Sequence, residues 1–174
     1  MVLAETWCLR DTYKEVAGRY PTTHRFTETD IQDLHRLWLY TIYPWAGKYR
    51  TVDMGKGGHR FAVPGEIPKL MSEFSDDVLR RQTPCKGMKH TELAVALAEV
   101  HVELVLIHPF REGNGRVARL LADLMAHQAG WPWLSYRSIQ GKGNGRYLAA
   151  IKAGLDRNYK PMKQVFSGIL NDSK

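Results

Sequence analysis

Between His108 and Arg119 the chain reads His108-Pro109-Phe110-Arg111-Glu112-Gly113-Asn114-Gly115-Arg116-Val117-Ala118-Arg119, an order in which nearly every polar side chain has chemical use. A loop that opens a helix presents unpaired amide hydrogens and the positive end of the helix dipole to an anion. Gly113 and Gly115 let that backbone approach a phosphate with no Cβ in the way. Arg116 and Arg119 project as neighbours from the first turn, where guanidinium groups can grip phosphate oxygens in pairs. Glu112 is oddly placed if the loop only holds phosphate. It makes sense as a ligand for magnesium, which takes one or two carboxylates together with substrate phosphates. His108, at the end of the preceding helix, is suited to take a proton from an attacking hydroxyl.

Taken singly, each feature has an ordinary explanation. Gly-Asn-Gly is common turn chemistry, a histidine at a helix end is usually a cap or core residue, and an arginine pair at that spacing usually faces solvent. Their joint arrangement is what carries the signal. Other strings fall short. Gly143-Asn144-Gly145-Arg146 lacks the preceding base and acid and reads as a turn before a helix. Gly55-Lys56 and Gly141-Lys142 are followed by glycine, so neither is a phosphate loop of the Walker type. His101-Val102-Glu103 has no Pro-Cys-x-x-Cys after it and reads as a pair on a helix surface or in the core.

The elements that must hold the loop are legible around it. Thr91 to Ile107 repeats apolar residues at helical spacing (Leu93, Leu97, Val100, Leu104, Ile107), and Pro109 stops it at His108. Val117 to Ala129 predicts the next helix, ended by Gly130, and a third runs from about Arg146 to Asp156. Upstream, Thr27 to Ile42 predicts a helix with Ile31, Leu34, Leu37 and Trp38 inward, followed by a breaker cluster from Tyr43 to Gly47. Lys48 to Asp53 and His59 to Val63 read as two strands of a hairpin about the turn Met54–Gly58, and Ile67 to Leu79 as a helix.

At 174 residues, with 44% hydrophobic and 25% charged residues, the chain suits one globular domain spanning residues 1–174. Two cysteines, Cys8 and Cys85, at no metal or disulfide spacing point to a reducing compartment. No apolar run approaches the ~18 residues of a membrane span, and Met1–Arg10 lacks a signal-peptide core. The expectation is a cytoplasmic protein without membrane contact. The formal charge of +7 is spread along the chain with no basic-aromatic alternation, which argues against nucleic acid and for an ordinary solvated basic surface.

The string from His108 to Arg119 resembles the full signature of the Fic (Fic/Doc) family, H-x-F-x-[D/E]-G-N-G-R-x-x-R, without a departure. The resemblance extends to Trp45-Ala46-Gly47-Lys48-Tyr49-Arg50 and the hairpin, and to Arg146-Tyr147-Leu148-Ala149-Ala150, over roughly residues 30 to 160. It implies a mainly α fold, a helical bundle with a small β-hairpin flap. The implied reaction is transfer of AMP from Mg-ATP to a Ser, Thr or Tyr hydroxyl of a target protein docked at the flap, with pyrophosphate leaving. By that resemblance His108 is the general base, Phe110 anchors the loop in the core, and Glu112 binds Mg2+. Gly113, Asn114 and Gly115 form the anion hole, with the Asn114 side chain aimed at the α-phosphate. Arg116 meets the β-phosphate, Arg119 the γ-phosphate, and Tyr147 lines the adenine side.

Two other readings fit the loop: transfer of a different phosphate-containing group (a Doc-like kinase, UMP or phosphocholine transfer), and a non-catalytic module that senses nucleotide. Doc-like motifs depart at the second glycine and the first arginine, both intact here as Gly115 and Arg116, and a sensor needs no base. Many members of the family are restrained by a helix bearing [S/T]-x-x-x-E-[G/N], whose glutamate pairs with the arginine corresponding to Arg119. No glutamate of this chain has Ser or Thr four residues before it, and the nearest echo, Ser167 to Asp172, carries Asn171 in place of the acid. An inhibitory antitoxin in trans, or constitutive activity, is therefore expected.

Overall fold

The computed structural model describes residues 2–56 and 58–173. Its organising element is α5, His90–Ile107, apolar on nearly every side, with Leu93, Leu97, Val100, Leu104 and Ile107 among its buried residues. A helix of that kind must be enclosed. The helices α6 (Asn114–Gln128), α7 (Asn144–Ala153) and α8 (Lys160–Asn171) pack around it. The last of these was not anticipated. Yet Met162, Val165, Phe166, Ile169 and Leu170 form its buried face at regular helical spacing.

On the other side lies α2, Glu28–Leu39, opened by a reciprocal capping box between Thr27 and Asp30 and burying Ile31, Leu34, His35, Trp38 and Leu39. The helix α1, Val2–Val16, rests on α2 and sends the Tyr13 hydroxyl to Asp123 of α6. Between α2 and α5 the chain passes through α3, Ile67–Glu73, which continues as a wider π-type turn over Phe74–Leu79 into the short α4, Arg80–Gln82. The fold is mainly helical, as expected.

Two local expectations change. Helix α6 begins at Asn114 instead of Val117, because Gly113 adopts the left-handed conformation and supplies the carbonyl that accepts from Arg116 and Val117 N–H. The hairpin shrinks to β1, Gly55–Lys56, and β2, His59–Arg60, antiparallel with Gly55 opposite Arg60 and Lys56 opposite His59. Lys48–Asp53 is not a strand. Its backbone and the Arg50 side chain are committed to the loop after α5 instead, as described below.

Two imidazoles are enclosed by this packing. Burial pushes His35 down to about 4 and His101 down to about 3. An unfolded chain protonates such rings below ~pH 6.5, so the stability they carry is present above that value and lost as pH falls toward the folded-state values. Asp123, raised by burial to about 6, works in the opposite sense between ~pH 6 and 4. At pH 5 the two rings should cost roughly 2 kcal/mol each relative to pH 7, with about 1 kcal/mol returned by Asp123. Urea unfolding should therefore give a protein less stable at pH 5 than at pH 7 by a few kcal/mol; equal values would mean that at least one ring is charged in the folded state.

Candidate active site

The peptide after α5 is held from behind by one side chain. Arg50 is 1% exposed. Its Nε donates to the His108 carbonyl at 2.7 Å, Nη1 to Val52 O at 2.7 Å, and Nη2 to Ala62 O at 2.6 Å. Nη2 also reaches Ile107 O at 3.5 Å, while Arg50 N–H donates to Pro109 O at 2.8 Å. Burial lowers its pKa, but a guanidinium at the carbonyl end of a helix sits where the dipole favours a cation. So fixed, His108 turns out of α5 in the left-handed region, φ 54° and ψ 57°. Its Nδ1 lies 3.1 Å from Val105 O, which requires Nδ1 to carry the hydrogen and makes Nε2 the basic nitrogen. The Phe61 ring stacks on the imidazole at 3.6 Å and 8°.

A second imidazole braces the middle of the loop. His35 Nδ1 accepts from Gly47 N–H at 2.8 Å, so Nε2 donates to Glu112 O at 3.0 Å, and the ring stacks on Phe110 at 3.8 Å. Phe110 is fully buried. The side chain of Asn114 does not point at a ligand: Oδ1 accepts from Phe110 N–H and Nδ2 donates to Phe110 O, both at 2.8 Å. With both ends of its amide engaged in the core, Asn114 offers a phosphate its backbone N–H at the opening of α6, and its side chain acts as a brace. The two glycines also divide the labour. At Gly113, φ 82°, a Cβ would lie 2.5 Å from Trp38 Cζ3, whereas at Gly115 the nearest atom is Arg119 Nη1 at 3.8 Å. Gly113 serves packing, and Gly115 keeps the cradle open.

Arg116 stands between two carboxylates, Nη1 to Glu5 at 2.8 Å and Nη2 to Glu112 at 3.1 Å, with its guanidinium 4.6 Å above the Trp38 ring. The Tyr147 hydroxyl meets His101 Nε2 at 2.8 Å and feels the charge of Arg119, whose guanidinium lies 5.8 Å from the Tyr136 ring centre. The Tyr136 hydroxyl donates to Arg119 O at 3.0 Å. Among the described residues no carboxylate forms an ion pair with Arg119. Asn171 lies exposed on α8, so the C-terminal echo of a restraining helix places no side chain in the site.

All eight residues singled out from the sequence (His108, Glu112, Gly113, Asn114, Gly115, Arg116, Arg119 and Tyr147) line one cavity of about 620 Å³. That is the size of a small-molecule site. The floor formed by the motif loop and the start of α6 faces an apolar wall from Leu148 and Ile151 of α7 and from Leu155, with Val105 and Leu106 of α5. The wall was missed, although 148, 151 and 155 repeat at helical spacing. It is close to α5 because Gly154 packs on Val102, where a Cβ would come within 2.1 Å of Val102 Cγ1. Arg50 and His35 were also missed as functional residues; neither touches the cavity, and nothing local in sequence marks a residue that works from behind.

The donor set suits magnesium. Glu112 is the acid in a lining otherwise rich in N–H donors, and among the described residues no cluster of three His, Cys, Asp or Glu side chains could enclose an ion by itself. A cation that takes one carboxylate and completes its shell with phosphate oxygens and water fits this; zinc, wanting three or four protein ligands, does not. In the structure Glu112 Oε1 accepts from Gly113 N–H at 2.7 Å and from Arg116.

A model of the Fic/DOC family matches residues 25–126. The chain belongs to that family. Among curated relatives, the protein adenylyltransferase VbhT of Bartonella schoenbuchensis is 31% identical over 114 residues, 66% of this chain and 24% of the relative. The protein adenylyltransferase Fic of Culex quinquefasciatus is 36% identical over 136 residues, 78% of this chain and 26% of the relative. The chain thus spans about a quarter of the length of these relatives. Among solved structures, BepC of Bartonella tribocorum with bound AMPPNP superimposes with a TM-score of 0.70 at 25% identity, covering 95% of this chain and 85% of that one.

The division between the two glycines is testable. Gly113→Ala should lower Tm by several degrees, because the residue must adopt positive φ against Trp38. Gly115→Ala should leave Tm unchanged or raised, since alanine is the better helix former by ~0.5–1 kcal/mol, while weakening ATP binding. Calorimetric melts and titrations of both variants check this; the reverse pattern would reassign the two positions.

Proposed function

We propose that the chain acts as one catalytic Fic domain that transfers AMP from ATP to a hydroxyl side chain of a target protein. The observation that carries this reading is the coincidence, in one cavity, of a histidine with a defined basic nitrogen, a helix N-terminus opened by glycine, and two arginines. Relatives named protein adenylyltransferase and the AMPPNP bound in BepC support the same chemistry.

The residues divide the work as follows. Amides at the start of α6 receive the α-phosphate, Arg116 the β-phosphate and Arg119 the γ-phosphate. The apolar wall on α7 takes the base. Glu112 would hold magnesium against the phosphates, and the ion would supply charge neutralisation as pyrophosphate leaves. Nε2 of His108 accepts the hydroxyl proton as the oxygen attacks the α-phosphorus. The bond to the α,β-bridging oxygen breaks, AMP remains ester-linked to the target, and the amides bear the charge that develops.

The hairpin around β1 and β2 is the proposed dock for the target, which would add an extended segment to its edge and so bring a hydroxyl beside His108. Phe61, stacked on His108 with its N–H bonded to Met54 O at 3.0 Å, ties the hairpin to the base. Among the described residues no carboxylate pairs with Arg119, which supports restraint from outside this stretch, such as an antitoxin partner in trans, or constitutive activity. No described helix is long and apolar enough to cross a membrane, and free Cys8 and Cys85 support a reducing cytoplasm.

His108→Ala should reduce AMP transfer by ~10²–10⁴-fold and leave ATP affinity nearly unchanged, because the base acts on the incoming hydroxyl. Labelled-ATP transfer into a lysate, with intact-mass analysis of the labelled protein, reads both rate and group. Wild-type rates in the variant would remove His108 from the mechanism, and a phosphate increment in place of AMP would reassign the reaction.

A further inference from the structure

Arg116 and Glu5 are joined across 111 positions of sequence. Glu5 lies on α1, outside the stretch that matches the family model. It is 5% exposed, an unusual place for a carboxylate. The whole residue is tied down. Its Oε2 accepts from Arg116 Nη1 at 2.8 Å, its Oε1 from the Tyr43 hydroxyl at 2.6 Å, and its backbone carbonyl from the Trp38 indole N–H at 2.8 Å. Burial would raise its pKa, but the hydrogen bonds from Tyr43 and Arg116 and the charge of Arg116 outweigh that and keep the carboxyl below its ordinary value. It is therefore an anion at neutral pH.

The two acids around Arg116 are not equivalent. The Glu112 side chain is 55% exposed and four residues away on the same turn, whereas that of Glu5 is 6% exposed. Solvent and salt weaken the first pair far more than the second. A guanidinium carries five donors, and these two pairs plus the Trp38 face beneath fix its plane, in a residue that lines the cavity. If Glu112 turns to a cation, Glu5 still holds the arginine in place.

We propose that Glu5 is a positioning residue for Arg116, orienting its guanidinium toward the β-phosphate of the bound nucleotide and holding it there when Glu112 is drawn away. α1 is thereby part of the nucleotide site although it lines none of it. The inference rests on the reading of Arg116 as the β-phosphate contact.

Calorimetric titration of ATP, ADP and AMP, each with magnesium, into wild type, Glu5→Gln, Arg116→Ala and the double variant tests it. Glutamine keeps the shape and loses the charge. Glu5→Gln should weaken ATP and ADP about tenfold, the value of one charge-assisted contact, and leave AMP within about twofold. The double variant should bind no worse than Arg116→Ala alone. Tighter ATP binding in Glu5→Gln would mean that the carboxylate masks Arg116, and equal loss for all three nucleotides with a fall in Tm would mean that it only packs. Either overturns the proposal. If Arg116→Ala separates ATP from AMP and Glu5→Gln does not, the inference alone fails; if Arg116→Ala does not separate them, the β-phosphate reading fails and takes the inference with it. Should Glu5→Gln not fold, Tyr43→Phe removes the hydroxyl from the same carboxylate and should shift the ATP-to-AMP ratio in the same direction; an unchanged ratio overturns the proposal.

Discussion

A buried cation that forms no ion pair among the described residues, and bonds to backbone carbonyls instead, holds this structure together. Arg50 spends its donors on carbonyl oxygens: those of Ile107 and His108 where α5 ends, and those of Val52 and Ala62 on either side of the hairpin. Helix ends leave carbonyls without intrahelical partners, and an enclosed end must have them satisfied. Arg50 does this for Ile107 and for His108 just beyond, as His108 Nδ1 does for Val105, and the bonds of Arg50 set His108 and the hairpin relative to each other. Truncating it would orphan several buried acceptors together, which is costlier than losing a single surface ion pair.

Around that clamp the motif loop is built by inward-facing groups. His35 and Asn114 direct their polar atoms at backbone and Phe110 fills the core, while Gly113 lets Trp38 lie against the chain. The backbone amides and the arginines are left to meet a ligand. Phe110, Gly113 and Asn114 of the signature are therefore architecture. Preorganisation of this sort lets dipoles stabilise charge without first having to reorient.

The sequence made the cavity floor legible because motif residues lie close together along the chain and their chemistry is explicit: His108, Glu112, Arg116 and Arg119 all reach it. Helix α5 was legible because its apolar residues recur at helical spacing beside a proline stop. What escaped was non-local. The role of Arg50 depends on carbonyls at 107 and 108, and that of Glu5 on Arg116, pairings that no window of sequence displays. The first strand was misplaced for a related reason: Tyr49, Thr51 and Val52 have strand propensity, but the bonds of Arg50 to the next loop outweigh it. Asn114 was assigned to the ligand because an amide can serve backbone or phosphate equally well, and only geometry decides.

Gly154 has a consequence beyond packing. The gap between the apolar wall and the cradle is gauged from outside the cavity, by the absence of a methyl group where α7 gives way to its last turn against Val102. Any side chain there would force Val102 aside or lift Leu155 away from α5. On the proposed reading, the width that a planar base meets in the slot is thus set at a contact the base never touches. Variants with altered preference for one nucleobase over another should be sought at residues 102 and 154 as much as among those that line the pocket.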